Sequence, residues 1–208
     1  MPARMSHIPA LALALLALGA TTAAASASPS STAAAQLTRY LMAGSDVADY
    51  APAGKATRFE TPTSWGAILG PKPAPAISRL EREGFVAAAS EYTLYTPKGG
   101  TGGGISWAAE FGSANSAAAE QAVDYKQFAV ASMGASVVKR YSLKGIAGSR
   151  AWASTALGFQ SANVIFTEGR CLLLIGIERT VGGTLANVMG PLQSAADSVY
   201  KRTRARCP

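Results

Sequence analysis

The sequence predicts an α+β fold, an antiparallel sheet of about six strands packed against helices. Three observations carry that expectation. Residues 149–180 read as three short strands joined by tight turns at Leu157-Gly158 and Glu168-Gly169, and the last strand holds the apolar run CLLLIGI at 171–177. Residues 105–111 alternate, with Ile105, Trp107, Ala109 and Phe111 on one face and Ser106, Ala108 and Glu110 on the other, the period of a half-buried strand. Two long segments, 113–133 and 184–204, repeat apolar residues at helical spacing. Turns this short force antiparallel pairing, and the helices must cover the sheet's apolar face or faces.

The chain has 208 residues, 49% of them hydrophobic, enough for one domain with a substantial core. Residues 1–27 read as a secretory signal peptide. Arg4 and His7 precede an apolar run at 8–20, and the alanines at 23–25 and the Ala-Ser-Ala at 25–27 both fit the small-residue cleavage pattern. The cut is expected after Ala27, or after Ala25. The apolar core is shorter than the ~20 residues that a bilayer span needs. No cysteine lies near the cut, so a lipoprotein anchor is not expected, and charges or glycines interrupt every later apolar run. Residues 28–33 read as a disordered lead-in and 34–208 as the α+β domain.

Within it, residues 34–43 form a short helix with Leu37, Tyr40 and Leu41 on one face and Gly44 at its end. Residues 45–50 turn into an extended segment, and 58–60 read as a brief strand. Prolines at 62, 71, 73 and 75 predict a surface loop, from which Trp65, Ile68 and Leu69 dip into the core. Two helical turns follow at 76–83, then strands at 85–96 and 105–111 separated by the glycine-rich loop 97–104. Ser113 or Ser116 caps the long helix, whose stripe of Ala118, Ala122, Tyr125, Phe128 and Ala129 permits close approach to a sheet before Gly134 stops it. A strand at 137–143 leads through 144–148 into the meander. After Gly182 and Gly183, the final helix buries Leu185, Val188, Met189, Leu192, Ala196 and Val199, and Pro191 should kink or split it.

The only histidine is His7, inside the leader, so the mature chain has none. That excludes Ser-His-Asp and Cys-His nucleophilic catalysis, histidine general bases and most zinc or haem sites. Neither a cofactor nor a catalytic or metal-ligating residue is assigned. Cys171 and Cys207 are the only cysteines, and an exported pair so far apart is expected to form one structural disulfide. Residues 97–104 lack the phosphate-loop spacing and precede a strand rather than a helix. Ser136 and Lys139 match the Ser-x-x-Lys motif without its companion motifs. An enzyme of carboxylate or lysine chemistry would draw on Asp46 with Asp49, Glu81 with Glu83, or Glu110 with Glu120.

Two further groups are candidates for binding. Trp107, Tyr125, Phe128, Trp152 and Phe166 either line a pocket between the long helix and the sheet or form ordinary core. The net charge is +7, and Lys201, Arg202, Arg204 and Arg206 crowd the C-terminus. They either suit the end of a helix dipole or meet an anionic surface such as lipid or wall polymer.

The chain also carries short words of a known layout: Asp46 to Tyr50 (DVADY) after a short helix, Gly84 to Val86 (GFV), Gly145 to Gly148 (GIAG) before the meander, and a final helix ending near a cysteine. By these it resembles secreted actinobacterial envelope proteins of unassigned role over about residues 34–207, and their helix-covered antiparallel sheet is similar to the Mog1/PsbP-like fold. The resemblance implies small-molecule or protein binding at the envelope and supplies no catalytic residues. The expected function is a secreted, non-enzymatic binding or interaction module. Its expected partner is an envelope protein, lipid or wall polymer rather than nucleic acid, and it is expected to be a monomer.

Overall fold

The computed structural model describes residues 28–70, 72–95, 102–131, 136–156, 158–180, 184–204 and 206–207. The expected leader and its cleavage, residues 97–101 of the glycine-rich stretch, the Gly134 stop, Leu157, and the Gly182-Gly183 break lie outside them.

Every strand pairing is antiparallel, and the sheet has eight strands rather than about six. The central order is β3 (Phe85–Tyr95), β4 (Gly102–Phe111), β8 (Cys171–Thr180), β7 (Phe159–Glu168), β6 (Arg150–Ala156) and β5 (Ser136–Tyr141). Two three-residue strands, β1 (Tyr50–Pro52) and β2 (Thr57–Phe59), pair with opposite ends of the free edge of β3. The sequence predicts only the second of these, at 58–60, because three residues are too few to show an alternation. The long helix α4 (Ala114–Ala131) carries the chain from β4 to the far edge, and the meander returns it so that β8 lies beside β4.

Both faces of the sheet are covered, at least in part. Against the first lie α1 (Pro29–Leu37) and α5 (Ala186–Thr203), over Ala87, Ala89, Ala108, Val164, Phe166, Leu173 and Ile175. Against the second lie α2 (Pro62–Gly66), α3 (Pro73–Arg82) and α4, over Trp107, Phe111, Trp152, Ile165, Leu172 and Leu174. Strand β4 is therefore not half-buried: Ser106, Ala108 and Glu110 are buried along with Trp107, Ala109 and Phe111. Ser106 avoids an unpaired buried hydroxyl by accepting the Met42 N–H at 2.8 Å. A small polar or alanine face reads as solvent-facing in sequence, but here its shortness lets a helix pack close. Burying each leucine or isoleucine of β8 contributes about 2 kcal/mol.

Prolines start helices here instead of preventing them. Pro62 and Pro73 stand at the first helical positions, where a missing N–H breaks no intrahelical bond. The expected loop thus holds α2, capped reciprocally by Thr61 and Ser64, and the start of α3. Pro29 likewise begins α1 inside the stretch read as a disordered lead-in, with the Ser28 hydroxyl accepting the Ser31 N–H. Burial of Ala34 and Leu37 holds that helix to the sheet. Ser113, not Ser116, accepts at the start of α4, from the Ser116 N–H at 3.0 Å. Helix α5 runs through Pro191 as one element. The carbonyl orphaned by that proline belongs to Asn187, which borders an open cavity of about 390 Å³ that admits water.

Cys171, at the start of β8, is bonded to Cys207, just beyond α5. The pair spans 36 residues with Cα atoms 6.0 Å apart and closes the first face over the end of α5.

Candidate binding face

Among the described residues, the second face is covered over only part of its height. Register places the side chains of that face in rows across the strands. The row Ser90, Trp107, Leu174 and Ile165 holds Trp107, Leu174 and Ile165 buried in the helix-covered core. One step towards the other end of the sheet, the row is Tyr92, Ile105, Gly176 and Asn163. The next is Leu94, Gly103, Glu178 and Ser161, and beyond it Thr180 opposite Phe159. Tyr92 is 53% exposed, Leu94 48%, Ile105 40% and Phe159 39%. Four of the six exposed large hydrophobics among the described residues therefore share this half-face, the others being Ile68 and Val123. Concentration of exposed apolar groups on a rigid element, rather than scattering, is the mark of an interaction surface.

Two glycines shape it. A Cβ at Gly103 would collide with the phenol end of Tyr92, so that ring lies across bare backbone of the neighbouring strand. A Cβ at Gly176 would stand 2.5 Å from Asn163 Oδ1 and 3.0 Å from Ile105 Cγ2, so the Asn163 amide reaches over β8 in the same way. The result is a shallow trough floored by β4 and β8, with Tyr92 on one side and Asn163 on the other. A cavity of about 60 Å³ lies in it, bordered by Tyr92, Ile105, Ser161, Asn163 and Glu178. A second, of about 300 Å³, adjoins Tyr92 and Ile105 where residues 53–55 bulge between β1 and β2, bringing Lys55 and Glu91 to its rim. Partial burial raises the Glu91 carboxyl above its ordinary pKa.

The aromatics singled out in the sequence do not form one lining, although Trp152 on β6 continues the row of Asn163 under α4. Trp107, Tyr125 and Trp152 belong to the helix-covered part of the second face, while Phe166 is on the first face against Tyr200, at 6.2 Å between ring centroids. Edge-to-face contacts join Trp65 to Trp107 at 5.1 Å, Trp107 to Phe128 at 5.2 Å, and Tyr125 to Trp152 at 5.6 Å. They interlock as core. Tyr92, Leu94, Ile105, Phe159 and Asn163 escape sequence reasoning, although the glycines at 102–104, paired with Tyr95, Leu94 and Thr93, were a signal of close approach.

Of the carboxylate candidates, Asp46 and Asp49 border one cavity, whereas Glu110 and Glu120 separate. Glu110 is on the first face and pairs with Arg170 at 2.7 Å, whereas Glu120 lies on α4, against the other face. Glu120 has a different neighbour, Asp124, one helical turn on. Arg79 of α3 grips Glu120 with two hydrogen bonds, Nε to Oε2 at 2.6 Å and Nη2 to Oε1 at 2.8 Å, and stands 3.8 Å from Asp124 Oδ1. The side chains of Glu120 and Asp124 are 1% and 2% exposed, sealed between helices rather than open to a cleft. Asp46 is held by Arg202, whose two Nη atoms donate to its two oxygens at 2.6 Å, with a further bond to the Leu41 carbonyl at 2.7 Å. Of the basic tail, Arg202 is thus committed to the fold, while Lys201, Arg204 and Arg206 are exposed. Ser136 and Lys139 fall on β5, with the Lys139 ammonium 5.9 Å over the Tyr141 ring.

No helix among the described residues is long and apolar enough to cross a membrane. No family model matches the chain, and no curated protein matches it. Among solved structures it is similar to the crystal structure of the extracellular domain of PknH from Mycobacterium tuberculosis, with a TM-score of 0.51 and 14% sequence identity. The likeness covers 81% of this chain and 96% of that one. It is a likeness of fold.

Proposed function

We propose that this chain is a secreted, non-enzymatic binding module of the cell envelope, built on a Mog1/PsbP-like sheet, with the open half of the second face as its docking surface. The carrying observation is the gathering of Tyr92, Leu94, Ile105 and Phe159 on one uncovered half-face. Similarity of fold to a domain described as extracellular supports placing the module outside the cell, after cleavage near Ala27 and without a lipid anchor. The disulfide suits the same compartment. Carboxylate catalysis is the weaker reading, because Glu120 and Asp124 are sealed from solvent and one of them is already clamped by Arg79.

The purified protein is expected to co-sediment with envelope material of its own organism, and Ile105→Asp to lose that property. Ile105 is 40% exposed, so the substitution should lower folding stability by about 1–2 kcal/mol, short of unfolding a domain of ordinary stability. Co-sedimentation of I105D at wild-type levels would remove the face from the proposal.

A further inference from the structure

We propose that the open half-sheet binds a neutral oligosaccharide, laid across β4 and β8 with one sugar ring stacked on Tyr92 and its hydroxyls held by Asn163, Ser161 and Glu178. This rests on reading the half-sheet as the binding face and names what that face takes. A pyranose ring presents an apolar face of C–H bonds and a rim of hydroxyls. Its recognition needs a flat apolar plate and polar side chains beside it that both donate and accept.

This face has both. Tyr92 is the plate: it is 53% exposed and lies across the bare backbone of Gly103. The Asn163 amide and Ile105 lie over Gly176, so a sugar on this face rests on side chains rather than on bare backbone. Asn163 offers both a donor and an acceptor, Ser161 a hydroxyl and Glu178 a carboxylate, all bordering the same cavity. Tyr92 and Asn163 stand on strands three places apart, and their side chains lean towards each other over β4 and β8.

The charge pattern selects against the other occupants. Lys55 shares its cavity with Glu91, and Glu178 borders the other, so an acidic polymer or phospholipid headgroup meets no basic cluster here. The cavities of about 300 and 60 Å³ are shallow, whereas an acyl chain needs an enclosed apolar channel.

The test is an array of neutral hexose and N-acetylhexosamine oligomers probed with the mature protein, followed by amide chemical-shift mapping with the oligomer bound best. Shifts should be confined to the open rows of β3, β4, β8 and β7. Tyr92→Ala is expected to weaken binding by about tenfold, the worth of one stacked ring, while Tyr92→Phe stays within about threefold. Gly103→Ala keeps the ring but pushes it from its seat, and should weaken binding as Tyr92→Ala does. An array without binding, shifts elsewhere on the sheet, or Tyr92→Ala and Gly103→Ala both indistinguishable from wild type would overturn the saccharide assignment. If I105D still abolishes envelope co-sedimentation in that case, the face survives with a different ligand. If it does not, both readings fall together.

Discussion

The acidic pair on α4 shows how much a single carboxylate depends on what surrounds it. Arg79 satisfies Glu120 with two short bonds but reaches Asp124 only at 3.8 Å, and Asp124 Oδ1 is buried without a hydrogen-bond partner. Burial pushes the Asp124 carboxyl well above the usual carboxylate range, the charge of Glu120 adds to that, and Arg79 only partly opposes it. The same contact with Glu120 raises the Arg79 guanidinium further still. Between the ordinary carboxylate pKa of about 4 and the raised value, the folded chain keeps a proton that the unfolded chain releases, so stability falls as pH rises through that window. Asp124→Asn removes the ionisable group and should flatten this slope. In thermal melts the variant should gain on wild type as pH rises from about 4 to 7, with the gain vanishing at the acid end. Equal slopes for the two proteins would mean that Asp124 is charged in the fold. Nothing in the sequence around Asp124 signals this, because α3 and α4 meet only in the folded chain.

At the scale of elements, the meander and the final helix form one mechanical unit. The strands at 150–156, 159–168 and 171–180 match the sequence pattern closely, since turn residues and apolar alternation are local signals. Gly158 and Gly169 take positive φ of 82° and 54°, as tight turns require. The disulfide then ties the first residue of β8 to the chain beyond α5, and Arg202 binds the same helix to Asp46. Cys207→Ser is expected to cost about 3–4 kcal/mol under oxidising conditions in the chain-entropy estimate, and to make no difference to a protein already reduced. A melting temperature unchanged by the substitution would show that Arg202 and the helix's apolar face suffice. Local signals mislead where prolines are concerned: in α2 and α3 they stand at helix starts, and only the position of the cap separates a helix-starting proline from a loop proline.

At the scale of the whole molecule, the sheet is a shared wall between two cores. Strands β4 and β8 have strands on both sides and core residues on both faces, whereas β1, β2 and β5 lie at edges. Native-state hydrogen exchange should accordingly be slowest in the helix-covered halves of β4 and β8 and fastest in the edge strands. Faster exchange in β8 than in β5 would contradict the two-core architecture. The same arrangement creates the candidate site, because the helices on the second face are too few to cover its full height. What remains open is a property of packing and not of any segment.

Features with local signals are legible along the chain: the meander, the two long helices, the pairing of the only two cysteines, and the absence of histidine from residues 28–208. Those depend on side-chain periodicity, turn chemistry and composition, each readable within a short window. Long-range packing buries both faces of β4, brings Arg79 to Glu120 across 41 residues, and joins Tyr92 and Asn163 in one trough. The physical reason is that burial belongs to a face and not to a residue. Alanine, serine and glycine suit a helix interface, a solvent face or a ligand floor equally well, and which of these they make depends on what chain comes to rest against them.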